Sequence, residues 1–258
     1  MKNFLLLLYG ITLLSFSSCG EEKNNSSDPL QVSKIEGKQL SVKKSLTEDE
    51  EIKSFIDPYK NRIKGEMNMV LSYTGETLSK SDGEYNTAIG NMMADAVMEF
   101  ANPIFKTRTG NTIDGVLLNH GGIRSKINRG DITTQTAYNI MPFENEAVVV
   151  ALKGRQVLKM FEYLSRSKRA HPISGMQLIL NFKNQIKTAR VQGKKIDPSK
   201  TYYIVTNDYL MEGGDNMKFF SQRESETFID YKLRNIFIDY FKKYDTIQPV
   251  RDERFIKE

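Results

Sequence analysis

Two apolar runs, each ending in a loop with a pair of adjacent glycines, constrain this chain more than any other feature of it. The first run covers residues 113–118 and leads into Asn119-His120-Gly121-Gly122-Ile123-Arg124. The second covers residues 202–205 and leads into Asn207-Asp208-Tyr209-Leu210-Met211-Glu212-Gly213-Gly214-Asp215. Short apolar runs bounded by turn residues read as buried strands. Adjacent glycines let a backbone take positive φ and approach a ligand closely. Asn119 both donates and accepts, and Arg124 can fork onto an anion or a ribose edge. A single such loop is commonly just a strand-ending turn with a surface arginine. Its recurrence, again beside a polar residue suited to a ligand, predicts that the fold brings the two loops together.

The remaining segments supply a scaffold. Thr47-Glu48-Asp49-Glu50 has the spacing of a capping box, and Ile52, Phe55, Ile56, Tyr59 and Ile63 then recur at helical intervals. Pro58 inside this run predicts a kink or an interruption. Residues 67–74 alternate as a strand, and 77–85 read as a loop. Residues 86–101 form the strongest helix, with Ile89, Met92, Met93, Ala96, Val97 and Phe100 on one stripe. Asn86 or Thr87 is placed to cap it, and Asn102-Pro103 is predicted to stop it. The methionines there read as core filler.

A short helix is expected from Asp131 to Met141, where Pro142 holds Met141 extended and fixes the approach to Phe143. Residues 146–152 read as a strand, and a helix from Gly154 carries Val157, Leu158, Phe161 and Leu164 on one face. The basic run at 165–171, with Arg166, Lys168 and Arg169, reads as a solvated helix end. Residues 176–182 and 186–191 alternate as a hairpin, and 230–242 read as a final amphipathic helix. Helices and strands alternate irregularly, which predicts an α/β (α+β) domain with a mixed sheet and not a doubly wound fold. Neither a repeat, a Walker loop nor a Rossmann fingerprint occurs.

The N-terminus reads as an export signal. Lys2 precedes the apolar stretch 4–14, which is too short to span a membrane. It ends in Phe16-Ser17-Ser18-Cys19-Gly20, with the only cysteine of the chain. This resembles a bacterial lipobox, although Phe16 stands where leucine is usual. The expectation is a signal peptide at 1–18, lipidation of Cys19, and a protein anchored by lipid in the cell envelope. Residues 19–46 are too polar to order themselves and read as a flexible tether, with 30–42 offering at most a weak edge strand. The domain is expected at 47–258.

From Thr47 onward the chain resembles the C-terminal domain of the 5′-nucleotidase family. Four stretches carry the resemblance: Ile89-Gly90-Asn91-Met92-Met93-Ala94-Asp95-Ala96, residues 119–124, Met141-Pro142-Phe143-Glu144-Asn145, and residues 207–215. It implies a nucleoside-binding domain. Phe143 and Tyr209 would sandwich the base, Asn119 would touch the base edge, Asp215 would accept the ribose hydroxyls, and Arg124 would reach ribose or phosphate. Gly121, Gly122, Gly213 and Gly214 would shape the two loops. Two departures stand out. Tyr209 replaces a usual phenylalanine. The arginine expected shortly before Gly90-Asn91 is missing, since Glu84, Tyr85 and Asn86 stand there. That leaves Arg124 alone for the phosphate, so AMP is expected to bind little better than adenosine.

The family's chemistry belongs to an N-terminal metallophosphatase domain with two metal ions, for which residues 1–46 leave no room. Two histidines, His120 and His171, cannot supply such a centre. His120 reads as a loop residue, and neither metal nor cofactor is expected in this chain. Three readings follow: the substrate-binding half of a split nucleotidase that works with a separate exported metallophosphatase chain, a stand-alone nucleoside-binding lipoprotein, or a structural surface protein. A net charge of +5 suits an anionic small ligand or an acidic membrane surface. No signature of nucleic-acid binding accompanies it.

Overall fold

The fold was obtained as a computed structural model, which describes residue 32 and residues 34–258. The expected signal peptide and Cys19 lie outside the described residues. The chain divides into two compact units, Met1–Glu50 and Glu51–Glu258. In the first, the described residues up to Asp49 form neither helix nor strand, and Val32, Ile35, Leu40 and Val42 are exposed. The weak edge strand expected at 30–42 is therefore not formed among the residues described. With so few apolar side chains, pairing there has no face to bury.

α1 (Glu50–Met67), all but its first residue in the second unit, runs unbroken through Pro58, against expectation. No residue of this helix is buried, so water can serve the carbonyl that Pro58 leaves without a donor. Its apolar stripe of Phe55, Ile56, Tyr59 and Ile63 is exposed. β1 (Val70–Thr74) follows, starting three residues later than the alternation suggested because α1 takes residue 67.

α2 (Ala88–Thr109) begins where Thr87 Oγ1 accepts from Gly90 N–H, at 3.1 Å. It does not stop at Asn102-Pro103 but continues to Gly110, which caps it at φ 77°. Packing overrides the proline here. Phe105 is fully buried against Tyr203, with ring centroids 5.2 Å apart, and Asn102 turns its carbonyl oxygen to Ile113 N–H. Fully burying a ring of that size is worth about 1.5–3 kcal/mol, comparable with the proline's cost of ~3 kcal/mol in a helix interior.

Next come β2 (Gly115–Leu117), β3 (Gly130–Thr133) and α3 (Thr134–Ile140). Residues 130–133 pair with β1 before the helix starts, so the helix expected from Asp131 begins late, behind a capping box of Thr133 and Thr136. β4 (Glu146–Lys153) and α4 (Gly154–Ser167) stand as expected. After β5 (Ile173–Ser174), β6 (Met176–Leu180) and β7 (Ile186–Val191) form the predicted hairpin, extended by β8 (Lys194–Lys195). β9 (Thr201–Asn207) leads into the one-turn helix α5 (Asp208–Met211). β10 (Ser225–Lys232) occupies the start of what the sequence suggested was the last helix, leaving α6 (Leu233–Lys243). Cross-strand bonding to β4, with Phe228 opposite Val148 and Lys232 opposite Glu146, holds this segment in the sheet across a bulge where Asp230 takes φ 55°. β11 (Thr246–Ile247) and β12 (Phe255–Lys257) complete the chain.

The central sheet has the order β10-β4-β9-β2-β5. It is mixed: β9 and β2 are parallel, and the other neighbours are antiparallel. Alternating side chains feed two cores. Ala147, Val149 and Val205 join α2, α3 and α6 on one face. Val148, Val150, Leu152 and Ile204 join α4 and the β6–β7 hairpin on the other. The predicted α/β class with a mixed sheet is the class observed.

Candidate functional site

Sheet register explains why distant stretches meet. β2 and β9 are adjacent and parallel, with Val116 opposite Val205, so the loops that follow them leave on the same side. β4 runs against β9, with Ala147 opposite Asn207, so the segment before β4 arrives there too. The three segments enclose a cavity of about 590 Å³. Asn119, Gly121, Gly122, Arg124, Phe143, Tyr209 and Asp215 all line it. Gly213 and Gly214 do not, and act on the loop behind it.

The first loop is fixed at both ends. Leu118 N–H donates to Pro172 O (2.9 Å), and Arg124 N–H donates to Ile140 O (3.0 Å). Residues His120–Gly122 make one 3-10 turn. A Cβ on Gly122 would lie 2.7 Å from Asn119 Oδ1, so glycine there lets the buried amide fold against the backbone. Asn119 Nδ2 then donates to Asp215 Oδ2 at 2.6 Å, which joins the first loop to the third. The Arg124 guanidinium stands 5.6 Å from the Phe143 ring centroid.

The second loop hangs from a buried arginine. Arg234 Nη1 donates to Phe143 O at 3.2 Å, and its other arm pairs with Glu144. Hydrogen bonds from Lys232 and then Arg234 hold the Glu144 carboxyl well below its usual range, at about 2. Phe143 is thereby carried on a fixed backbone while 42% of it stays exposed.

The third loop starts at Asn207, whose side chain accepts from Leu210 N–H and caps α5. Asp208 Oδ1 accepts from Tyr209 N–H (2.8 Å), Asn145 Nδ2 (2.9 Å) and Glu146 N–H (3.3 Å), clamping the third loop to the second. A Cβ on Gly214 would lie 2.5 Å from Tyr209 ring carbons, so the ring rests directly on that glycine. Asp215 has the left-handed φ of 51°. Three contacts hold it there: Asn119, the Tyr209 hydroxyl on Oδ1 (3.1 Å), and the Tyr163 hydroxyl on its carbonyl (2.8 Å).

Tyr209 is half exposed, and no ring contact joins it to Phe143 among the described residues. Exposure at this level leaves part of each ring outside the core. The sequence reading did not assign Asn145, Asp208 or Arg234. The first two are short polar residues at strand ends, a signal that was legible. Arg234 lies 91 positions from Phe143 and gave none. The departure at Tyr209 also gains a function, since its hydroxyl orients Asp215 as phenylalanine cannot. Tyr209→Phe is expected to weaken adenosine binding about two- to tenfold, the worth of one hydrogen bond to a charged group. Calorimetry checks this, and unchanged affinity would show that the hydroxyl does not position Asp215.

His120 and His171 meet in space. His171 is buried, and its Nδ1 accepts His120 N–H at 3.3 Å. Burial lowers its pKa to about 4, so it is neutral. His120 Nδ1 faces Ala170 O at 3.3 Å. Among the described residues no group of three or more His, Cys, Asp or Glu could hold a metal ion. This donor set does not fit the two-metal centre that the resemblance associates with catalysis.

Comparison with known proteins gives a family and a shared fold. Residues 68–222 match the model of the 5′-nucleotidase C-terminal domain. The trifunctional nucleotide phosphoesterase YfkN of Bacillus subtilis is 27% identical over 239 residues, covering 85% of this chain and 16% of that protein. Protein UshA of Escherichia coli is 26% identical, covering 66% of this chain and 30% of its own length. The cell wall protein Lmo0130 of Listeria monocytogenes is 29% identical, covering 77% and 28%. The solved 5′-nucleotidase precursor from Thermus thermophilus shares the fold, with a TM-score of 0.67 at 22% identity, over 81% of this chain and 43% of that one. The chain thus spans less than half the length of each of these proteins.

Proposed function

Because the chain belongs to the 5′-nucleotidase C-terminal domain family, we propose that its cavity binds a nucleoside or nucleotide and that it supplies substrate to a separate metallophosphatase chain. The observation that carries this reading is the convergence of Asn119, Arg124, Phe143, Tyr209 and Asp215 on one cavity. Its volume lies in the usual range for small ligands, roughly 300–1,000 Å³. Two exposed rings are suited to the two faces of a base. The Asp215 carboxylate is suited to a ribose diol, and Arg124 to an anion at the other end.

The need for a partner rests on the donor set described above, which cannot hold two metals. The exposed stripe on α1 supports it as well. Phe55, Ile56, Tyr59 and Ile63 stand in a row on a helix without a buried residue, suited to cover by an apolar protein surface. We take the partner, and not solvent, as what this face is shaped for.

The test uses the full chain. Calorimetry is expected to detect adenosine and AMP, with free adenine weaker. AMP hydrolysis with added divalent metal is expected only when a metallophosphatase chain lacking its own C-terminal domain is supplied. Failure to bind any of the three ligands would remove the nucleoside reading. Chelator-sensitive turnover by this chain alone would remove the partner. Binding with no turnover in any partner's presence would favour a stand-alone binding lipoprotein.

An envelope location is part of the same proposal. It is supported by the lipobox-like Ser17-Ser18-Cys19 and by a relative named as a cell wall protein. Cys19→Ser is expected to abolish incorporation of labelled fatty acid; label retained in that variant would refute the lipid anchor.

A further inference from the structure

The strands β6, β7 and β8 carry an unbalanced run of positive charge. From Phe182 to Ile196 the sequence holds Lys183, Lys187, Arg190, Lys194 and Lys195, and neither aspartate nor glutamate. All five cations are exposed. Lys187 pairs with Glu258, and the other four make no salt bridge among the described residues. Register sharpens the imbalance. Met176, Leu178 and Val191 turn inward to a core, so Arg190, which alternates with Val191, faces outward. Lys195 on β8 stands directly opposite it. Like charges at directly opposed positions destabilise a sheet. Lysine is a usual guard on an edge strand, and β8 is one. That guard accounts for Lys194 and Lys195. It does not account for Arg190 on the inner neighbour β7, or for Lys183 in the turn before it.

The turn between β6 and β7 supplies a second, independent observation. Phe182 stands at its tip and is 84% exposed, more than any other large apolar side chain of the second unit. The backbone beneath it is pinned. Asn181 Oδ1 accepts from Lys183 N–H and from Gln185 N–H, both at 2.9 Å. Asn184, at φ 60°, accepts from the Tyr85 hydroxyl at 3.4 Å. The ring is thus held out into solvent on a hydrogen-bonded turn, with Lys183 beside it. An apolar ring kept in water contributes nothing to folding, and a pre-ordered turn lowers the cost of placing it in a partner.

We propose that this turn and the outward face of β7 and β8 form a docking surface for an anionic phospholipid bilayer. Phe182 enters the boundary between headgroups and acyl chains, and the cations meet lipid phosphates. Charge complementarity selects this occupant. A cluster of about four to eight Lys or Arg is a usual reader of an acidic lipid surface, and an aromatic ring among them is a usual interfacial anchor. The expected export of the chain also puts lipid within reach. A duplex nucleic acid would satisfy the cations but offers a solitary ring no unstacked base. The inference goes beyond the nucleoside reading and does not depend on it, nor on a lipid at Cys19.

The test uses the processed chain, residues 19–258, with Cys19→Ser. It keeps both cores and carries neither the apolar stretch 4–14 nor a lipid. Co-sedimentation is measured with vesicles of phosphatidylcholine alone and of equimolar phosphatidylcholine and phosphatidylglycerol. The expected result is binding to the second and not to the first, lost in about 1 M salt, where charge is screened beyond ~3 Å. Lys183→Gln/Arg190→Gln/Lys195→Gln should weaken it roughly 100-fold, at about fivefold for each cation. Phe182→Ala should weaken it about tenfold and leave its salt dependence in place. Urea unfolding of each variant separates lost binding from a lost fold, and should the triple variant unfold, Phe182→Ala and the salt dependence decide. No binding to the anionic vesicles would overturn the inference. Binding retained by both variants would overturn it too, since the contact would then lie elsewhere. Capture of a duplex oligonucleotide in place of vesicles, lost in the triple variant, would give the surface to nucleic acid. Self-association of the triple variant with unchanged vesicle binding would assign the cations to edge protection alone and end the proposal.

Discussion

Phe143→Ala/Tyr209→Ala is expected to remove detectable adenosine binding while leaving the fold in place. Each ring that stacks on a base contributes ~1–3 kcal/mol, so losing both weakens binding by roughly 10²- to 10⁴-fold. Stability should change little. Phe143 is 42% and Tyr209 is 50% exposed, so neither carries a core, and exposed substitutions commonly stay within ~0.5 kcal/mol. Tyr209→Ala alone should cost more than Phe143→Ala alone, because it also frees Asp215 from its hydroxyl contact. Calorimetry with adenosine, beside urea unfolding of each variant, gives both numbers. Affinity retained to within threefold in the double variant would show that the base is held elsewhere. A collapse in unfolding free energy would show that the rings serve packing after all.

Most of this site was legible because it depends on short-range chemistry. Glycines beside Asn119 and Asp215, at the ends of apolar runs, indicated loops that approach something closely. The structure adds the reason, since Gly122 makes space for the Asn119 amide and Gly214 for the Tyr209 ring. Long-range pairing was what the sequence hid. Phe105 on α2 packs against Tyr203 across the sheet and carries the helix past Pro103, where local rules end it. Residues 230–232 read as the start of a helix, and pairing with β4 makes them the end of a strand. The same holds for Arg234, whose support of Phe143 arises only once α6 lies beside the second loop. Local signals thus locate the cavity-lining residues, and the residues that position them come from tertiary packing.

The stability of the domain should fall as the pH drops through the mildly acidic range, and His171 should be the cause. Burial, with smaller contributions from His120 and Arg169, lowers its pKa to about 4, against an opposing effect of Asp215. In the unfolded chain a histidine titrates near 6.5. Between those values the unfolded state binds a proton that the folded state refuses. The stabilisation is therefore complete above about pH 6.5 and is lost as pH falls towards 4. The difference corresponds to about 3 kcal/mol. Other groups contribute to any single curve, so the measurement is a difference. Urea unfolding of the parent should lose about 3 kcal/mol more between pH 7.5 and pH 4 than His171→Gln, whose amide can still accept the His120 N–H without titrating. Parallel pH profiles for the two proteins would dispose of the argument. A functional consequence accompanies it. His171 Nδ1 accepts the backbone N–H that opens the turn His120–Gly122, and that turn carries two of the cavity's glycines. Protonating Nδ1 removes this acceptor. In the folded protein that proton is taken up only near pH 4, so adenosine affinity in the parent should hold through the mildly acidic range, fall as the pH passes about 4, and fall less in His171→Gln, which would tie the buried histidine to the loop at the cavity.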